Sequence, residues 1–129
     1  MEDFDKTMKE KYPAVVPEKF GFEIGEGWHS LVSTLIRGID YRLNPPYNPR
    51  KEPIEFYLDQ VKEKFGGLRF YYTGGDEYIA GMVSFAENLS TTICEVCGKP
   101  GHRRDGRWIR TLCDQHETEY QESLKRAGR

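Results

Sequence analysis

The sequence of 129 residues predicts an α+β fold, in which a helix–β-hairpin–helix body precedes a small cysteine-containing module. Apolar residues recur at three- and four-residue spacing in residues 28–43 and again in 76–93, which indicates two amphipathic helices. Two aromatic-rich segments around a Gly-Gly pair lie between them, as in a β-hairpin. All three cysteines lie within residues 94–113. We expect residues 1–93 to form the body and residues 94–129 the module, packed together as one cooperative domain.

Composition narrows the class of protein. A chain of this length buries roughly two thirds of its unfolded surface, which suffices for one core. The sequence begins Met-Glu-Asp-Phe-Asp-Lys, without the apolar run of a signal peptide, and no run of about 18 apolar residues would span a membrane. An odd number of cysteines argues against a closed disulfide framework. We therefore expect a cytoplasmic protein, not bound to membranes, whose thiols are reduced or hold a metal.

Two helices are predicted before the hairpin. A short helix over residues 4–11 should end before Pro13, and a longer one should begin near Trp28. The apolar stripe of the longer helix contains Trp28, Leu31, Leu35, Ile39 and Leu43. Asn44 and the two prolines after it should end this helix, because proline cannot continue the hydrogen-bond ladder. The proline-rich segment 44–53 is a predicted loop.

The segment 54–75 predicts the hairpin, with Gly66-Gly67 as its turn, because a tight turn needs positive φ angles. In the second strand Leu68, Phe70 and Tyr72 should face one side, and Arg69 and Tyr71 the other. The first arm, residues 54–65, stays open between strand and helix. In a helix, its residues Glu55, Asp59 and Glu63 would form an acidic stripe. The order of glycines and aromatics does not match an RNA-recognition motif, so we assign these aromatics to the core.

The last helix of the body should begin after Asp76, which is suited to cap it, and should run directly to Cys94. Its inner side is predicted to contain Ile79, Val83, Ala86 and either Ser90 or Leu89.

The cysteines occur in a pattern typical of a metal site: Cys94-x2-Cys97, fifteen residues, and then Cys113-x2-His116. A tetrahedral zinc ion needs four nitrogen or sulfur donors, and a two-residue gap lets a tight turn direct two sulfurs at one point. We predict that Cys94, Cys97, Cys113 and His116 bind a structural Zn²⁺. In zinc-finger peptides such an ion contributes about 10–16 kcal/mol to folding.

The residues between the pairs suit a hairpin with Asp105-Gly106 as its turn. Cys113 should then open a helix whose stripe continues through His116, Tyr120, Leu124 and Ala127. A turn, a hairpin and a helix that carries two ligands in its first turn resemble the treble-clef class of zinc fingers, over residues 93–127.

Other interpretations of these residues stay open. Cys94 and Cys97 would suit redox chemistry at a helix N-terminus, but here they follow a helix end. A retroviral-type knuckle would use His102 as its third ligand and would need cysteine at position 107, which is arginine. The cysteines would also be compatible with a fold that holds no metal.

Catalysis is not expected. Four protein donors fill a tetrahedral shell and leave no position for water or substrate. The sequence lacks the deaminase motif, with His-x-Glu and Pro-Cys-x-x-Cys, and the His-Glu-x-x-His motif of zinc proteases. It also shows no nucleophile–base constellation. We expect a protein that is not an enzyme and has no small-molecule substrate; a hydrolase with an unrecognised site is the least favoured reading.

Charge is distributed unevenly. Residues 1–93 carry eleven Lys/Arg and fifteen Asp/Glu, a net of −4, and residues 94–129 carry eight and six, a net of +2. A predicted partner-binding tip on the second hairpin contains Arg103, Arg104, Arg107, Trp108 and Arg110. The alternative is that Trp108 packs on the last helix while the arginines are solvated. His29, near the start of the long helix, is predicted to be a surface residue.

Two stretches, DQVKEKFGGLRFYY and ICEVCGKPG…WIRTLCDQH, together resemble a group of small bacterial, bacteriophage and prophage proteins. These proteins share a Lys-Glu-Lys-Phe-Gly segment, a helix and a terminal zinc-finger-like pattern, and the resemblance covers about residues 28–116. It implies no activity for any residue beyond the four ligand positions. It does imply a mobile-element setting, in which small proteins without catalytic residues often bind and inhibit host proteins such as defence machinery.

We therefore expect a zinc-containing interaction protein with a protein partner. The alternative is a small DNA- or RNA-binding regulator that uses the basic zinc hairpin. The two differ in their salt dependence, because affinity that comes from phosphate contacts falls steeply with salt.

Overall fold

A computed structural model of the protein describes residues 2–44 and 52–128. The helices and strands in these two ranges are α1 (Glu2–Lys11), a 3₁₀ helix (Glu26–Trp28), α2 (His29–Leu43), β1 (Phe56–Lys64), β2 (Gly67–Gly74), α3 (Glu77–Ser90), β3 (His102–Arg104), β4 (Arg110–Leu112) and α4 (Asp114–Arg126). The predicted α+β class is confirmed, with two separate two-stranded antiparallel sheets in the described ranges. Most of the predicted proline-rich loop, residues 45–51, lies outside them. Within them, no helix is sufficiently long and apolar to cross a bilayer.

The body has one apolar core, which α1, α2, the β1–β2 hairpin and α3 surround. The segment between α1 and the 3₁₀ helix adds buried side chains at Val15, Val16, Phe20, Phe22 and Ile24. This segment also joins the hairpin, because the Glu23 N–H donates to the Val61 carbonyl at 2.9 Å and the Glu63 N–H donates to the Glu23 carbonyl at 3.2 Å. The polar, turn-rich start of the chain is therefore part of the core.

Helix α2 buries a wider face than its predicted stripe. Its buried side chains are Val32, Leu35, Ile36 and Ile39, while Leu31 and Leu43 are only half-buried. Val32 and Ile36, which the predicted stripe lacks, belong to the apolar core of the body, so a stripe of one residue per turn does not account for the buried face.

Helix α3 begins as predicted. The Asp76 carboxylate accepts a hydrogen bond of 3.0 Å from the Ile79 N–H, so Asp76 is the N-cap. The inner side contains Ile79, Val83, Ala86 and Ser90, and Leu89 points outward. Of the two residues left open, Ser90 is the buried one. Its hydroxyl oxygen accepts a hydrogen bond of 2.9 Å from the Leu68 N–H and so provides a partner for a backbone donor of β2.

The sequence left residues 54–65 undecided between strand and helix, and the structure shows strand β1 there. Asp59 and Glu63 therefore form no helical stripe. The turn differs from its prediction by one residue. Lys64 pairs with Gly67, so the two turn residues are Phe65, with φ of 54°, and Gly66, with φ of 79°. Two consecutive positive φ angles match the right-handed twist of a hairpin. In β2, Leu68 and Phe70 are buried and Tyr71 is exposed, as the alternation predicts.

The second hairpin is also looser than predicted. Arg104 pairs with Arg110, so residues 105–109 form a five-residue loop and Asp105-Gly106 is not a two-residue turn. Helix α4 then runs from Asp114 to Arg126, and Ala127, predicted as part of its stripe, is exposed at the C-cap.

The cysteine-containing module lies directly against the body. The Gly27 N–H donates to the Glu95 carbonyl at 2.7 Å, and the Gly25 N–H donates to the Glu95 carboxylate at 3.1 Å. From the other side, the Thr111 hydroxyl donates to the Gly66 carbonyl at 2.5 Å. These contacts join the module to two different parts of the body.

Candidate metal centre and adjoining surface

Four side chains converge at one point of the module. The Sγ atoms of Cys94, Cys97 and Cys113 and one ring nitrogen of His116 all lie within 4.8 Å of one another. Cys97 Sγ is 3.8 Å from Cys113 Sγ, and His116 Nδ1 is 3.7 Å from Cys94 Sγ and 3.2 Å from Cys113 Sγ. All three cysteines are free of disulfide bonds. The structure thus brings together the four residues that the sequence spacing selects, in an arrangement that could hold a metal ion.

Local backbone geometry positions the first pair. The Gly98 N–H donates to the Cys94 carbonyl at 2.8 Å, and the Cys94 N–H donates to the Lys99 carbonyl at 2.7 Å. Gly98 has a φ of 84°, which L-residues rarely adopt, so glycine at this position closes the tight turn. Backbone hydrogen bonds therefore hold the turn that carries the two sulfurs, and Cys94 is also buried beside Leu112.

Helix α4 positions the second pair. Cys113 is its N-cap, and the Cys113 sulfur accepts a hydrogen bond of 3.5 Å from the His116 N–H. His116 lies in the first turn, three residues on, so both side chains are on the same side of the helix start.

The environment favours ionisation of one sulfur. Burial of Cys94 opposes ionisation, but the backbone N–H groups of Cys113, Cys97 and Val96 outweigh it and lower the pKa of the Cys94 thiol to about 6. At Cys97 the Lys99 N–H favours ionisation, yet burial and the sulfurs of Cys94 and Cys113 raise the pKa of the thiol. Neighbouring sulfurs repel one another when charged, and a bound cation removes that repulsion.

Glu95, beside Cys94, is a buried acid that sequence reasoning did not single out. It is 8% exposed, and burial raises the pKa of its carboxyl despite the hydrogen bond from the Gly25 N–H. Its own N–H donates to the Thr111 carbonyl at 3.1 Å. Glu95 therefore ties the first cysteine pair to the body and to β4. In the sequence, only its position next to the candidate ligand Cys94 could have drawn attention to Glu95, because the burial of a glutamate cannot be read from the sequence.

His102 is exposed on β3, where it pairs with Leu112, and it lies outside the four-residue cluster. His29, predicted at the surface, is half-buried instead, and its ring stacks on Phe4 with 3.9 Å between centroids. The Nε2 atom of His29 is buried without a hydrogen-bond partner. The prediction was wrong because α1 folds over the start of α2.

The structure separates the predicted partner-binding residues into two groups. Arg104 donates to the Leu112 carbonyl at 3.0 Å and pairs with Asp114 at 2.8 Å, and the Arg110 guanidinium lies 5.4 Å from the centre of the Tyr120 ring. These two arginines hold the module together. Arg103, Arg107 and Trp108 are exposed, although Arg103 also donates to the Phe65 carbonyl at 2.9 Å.

Trp108 does not pack on α4. Its side chain is 65% exposed, in the loop of residues 105–109. Between this loop and α4 lies a cleft of about 570 Å³. The cleft is lined by Arg104, Asp105, Gly106, Arg107, Trp108, Arg110, Glu117, Tyr120, Gln121, Leu124 and Gly128. Trp108 is therefore mostly exposed beside the last helix and is not a buried residue of its packing.

The exposed Phe65 was another residue that sequence reasoning missed. It is a non-glycine residue with positive φ, and Lys64 Nζ lies 5.6 Å from the centre of its ring. The one-residue shift of the hairpin turn explains the omission, because a core position was expected there.

Comparison of the chain with family models, with curated proteins and with solved structures gives no match.

Proposed function

We propose that this protein is a non-enzymatic binding protein whose C-terminal module is a treble-clef-like zinc finger. The observation that carries the proposal is the convergence of Cys94, Cys97, Cys113 and His116 within 4.8 Å. A tight turn with two ligands, a short hairpin and a helix with two ligands at its start follow one another in this module, in the order of a treble clef.

The distances favour zinc. With a Zn–S bond of about 2.3 Å, two sulfurs of a tetrahedral site lie about 3.8 Å apart. The distance of 3.8 Å between the Cys97 and Cys113 sulfurs agrees with that geometry, and the His116 nitrogen lies 3.7 Å and 3.2 Å from the sulfurs of Cys94 and Cys113. Three thiolates and one imidazole are also a donor set that soft, tetrahedral ions prefer.

Zinc at this site would be structural. Four protein donors complete a tetrahedral shell, so no coordination position is left for a reacting water or substrate. The ion would instead fix the cysteine turn against α4 and thereby set the position of the loop 105–109.

The loop and the adjoining cleft are the proposed partner-binding surface. An exposed tryptophan beside an exposed arginine is typical of interface hot spots, and Trp108 and Arg107 are such a pair. We propose that the partner is a protein whose surface carries both acidic and basic side chains, because the cleft presents Arg107 together with Asp105 and Glu117. Following the resemblance to phage and prophage proteins, the partner would be a host protein in the bacterial cytoplasm, and binding would inhibit it.

A nucleic-acid partner is the less favoured alternative. Arg104 and Arg110 already contact Asp114 and Tyr120, so fewer guanidinium groups are available for phosphate. The carboxylates of Asp105 and Glu117 line the same cleft and would repel a polyanion.

The metal assignment is tested by elemental analysis and thermal unfolding of purified protein. We expect about one zinc per chain, as a four-ligand site requires. Cys97→Ser should lower both zinc content and melting temperature, and the control His102→Asn should change neither. Full zinc occupancy and unchanged melting in Cys97→Ser would refute the ligand assignment.

The binding surface is tested by affinity purification from host lysate with Arg107→Ala/Trp108→Ala, while Arg104 is kept because it holds the hairpin. The control is Arg37→Ala/Tyr57→Ala, which removes an exposed arginine and an exposed aromatic elsewhere. The loop variant should lose the partner, and the control should retain it. Equal recovery of the partner by the loop variant and the control variant would show that loop 105–109 is not the binding surface. A gel shift at low salt that disappears at high salt would instead support the nucleic-acid alternative.

A further inference from the structure

Helix α3 carries a second apolar stripe, on a side other than its buried face. Tyr78 is 60% exposed, Phe85 69% and Leu89 37%, and Met82 is half-buried between them. Met82 lies where α3 passes α2, so close that a Cβ atom on Gly38 would be 2.9 Å from its sulfur. The stripe therefore runs along the outside of the α2–α3 pair, beside the core but not covered by it.

The spacing of this stripe is that of a helix-packing seam. Residues 78, 82, 85 and 89 are separated by four, three and four positions, so they follow one side of a helix over three turns. The inner face, at Ile79, Val83, Ala86 and Ser90, repeats the same spacing one residue later. One helix thus presents two apolar seams; within residues 2–44 and 52–128 the inner one is buried, while Tyr78, Phe85 and Leu89 of the outer one are exposed.

We propose that the outer seam pairs with the same seam of a second copy of this chain, with the two α3 helices antiparallel. The seam is symmetric about a point between Met82 and Phe85. A two-fold axis there places Tyr78 opposite Leu89 of the other copy and Met82 opposite Phe85. Such self-complementarity is what an isologous dimer interface requires.

Charge favours the antiparallel orientation. The four seam residues are uncharged, and the acidic residues of α3 are Glu77 and Glu87. Glu87 is already engaged, because its carboxylate accepts from the Phe70 N–H at 2.9 Å. In an antiparallel pair the two Glu77 side chains lie at opposite ends, about 20 Å apart on a helix of this length, whereas a parallel pair would place them together.

The backbone near the seam permits close approach. Gly81, on the solvent side of Phe85, has open space where a Cβ would be. The Tyr78 ring is held in place by the Arg42 guanidinium, 4.7 Å from its centre, and Arg42 itself pairs with the N-cap Asp76 at 2.9 Å. One end of the seam is therefore preorganised, which lowers the entropic cost of association.

The exposed area of the seam is smaller than that of a permanent interface, so the proposed dimer is a reversible one. A covered aromatic side chain buries about 150–250 Å², so Tyr78 and Phe85 at their exposures provide roughly 200–300 Å² of the about 800 Å² per partner in a standard interface. Met82, Leu89 and the exposed Tyr41 of α2 add to this.

The test is analytical ultracentrifugation of the full-length, metal-loaded protein at about 1–500 µM, a range that brackets micromolar dissociation constants. The wild type should show a monomer–dimer equilibrium, and Phe85→Glu should weaken it at least about tenfold. Tyr57→Glu, which places the same charge at a residue 58% exposed on β1, should leave the equilibrium unchanged. Circular dichroism verifies that both variants fold. A monomeric wild type over the whole range, or equal dimerisation of Phe85→Glu, overturns the proposal.

The antiparallel orientation of the two α3 helices is tested by introducing opposite charges at the two ends of the seam. Leu89→Glu and Tyr78→Lys should each dimerise weakly, and an equimolar mixture should recover dimers, because the antiparallel pairing places the introduced charges opposite each other. Absence of recovery in the mixture contradicts the antiparallel arrangement. The proposal is independent of the metal centre, because the seam lies entirely on the body.

Discussion

The indole Nε1–H of Trp28 donates a hydrogen bond of 2.9 Å to the carbonyl oxygen of Ile93. Trp28 is fully buried at the junction of the 3₁₀ helix and α2, and Ile93 directly precedes the first cysteine. One side chain of the body therefore fixes the backbone from which the candidate metal centre starts. The contacts of Gly25 and Gly27 with Glu95 continue this connection across the boundary, so we expect residues 1–93 and 94–129 to unfold as one cooperative domain.

Trp28→Phe tests that coupling. The substitution keeps an aromatic ring in the core but leaves the Ile93 carbonyl without its donor, and an unsatisfied buried group costs about 1–3 kcal/mol. We expect urea unfolding to show a loss of this order, with the body and the cysteine module still unfolding in one transition. Trp108→Phe, at an exposed position, should change stability little. Two separate transitions in the wild type would contradict the single-domain expectation.

Gly27 is required by close backbone contact with the module. A Cβ atom on Gly27 would be 2.1 Å from the Cys94 carbonyl oxygen and 2.6 Å from the Gly98 nitrogen. Gly27→Ala should therefore push the cysteine turn away, lower the melting temperature and weaken metal retention against a chelator. The matched control is Gly81→Ala, with open space at its Cβ, which should stabilise α3 by up to about 1 kcal/mol. Equal stability of Gly27→Ala and wild type would show that this contact is not close in solution.

His29 gives the protein a pH dependence. Burial against Phe4 lowers the pKa of His29 below its ordinary 6.5, although Glu26 and Asp5 act to raise it. The unfolded chain then binds a proton at a pH at which the folded chain does not, so stability rises with pH in that interval. This contribution is complete above pH 6.5 and is lost as the pH falls through the lower pKa of the folded state.

The measurement is urea unfolding of wild type and His29→Gln between pH 5 and pH 7.5. The variant does not titrate at this position, so its stability should fall less on acidification. Acid effects on the cysteine cluster are common to both proteins and cancel in the comparison. If the wild type and His29→Gln lost the same amount of stability on acidification, the environment of His29 would not favour its neutral form.

Phe65 occupies a turn position that suits other residues better. Its φ of 54° is left-handed, which costs an ordinary L-residue roughly 1–2 kcal/mol, whereas asparagine tolerates it. Since the side chain is exposed, Phe65→Asn should raise the free energy of unfolding by up to about 1 kcal/mol. Tyr71→Asn, an exposed aromatic in regular β2, should instead be destabilising, because asparagine has low β propensity. A destabilised Phe65→Asn would mean that its ring makes a contact that matters more than the strained backbone.

Local patterns in the sequence determined the helices and the candidate ligands. The Asp76 cap, the inner seam of α3 and the alternation of Leu68 and Phe70 depend on residues close in sequence, and each was predicted correctly. The four clustered residues, Cys94, Cys97, Cys113 and His116, were also identifiable, because two pairs with a two-residue gap form a short-range pattern typical of metal sites.

Tertiary structure decided the rest. The exact hairpin turns depend on strand register, and they moved by one residue at Gly66 and opened to a five-residue loop after Arg104. The burial of His29 and Glu95, and the exposure of Trp108, depend on which distant segments pack against them. Spacing along the chain specifies which atoms can meet locally, whereas burial and register follow from contacts between residues far apart in sequence, and those are fixed only when the body and the module pack together.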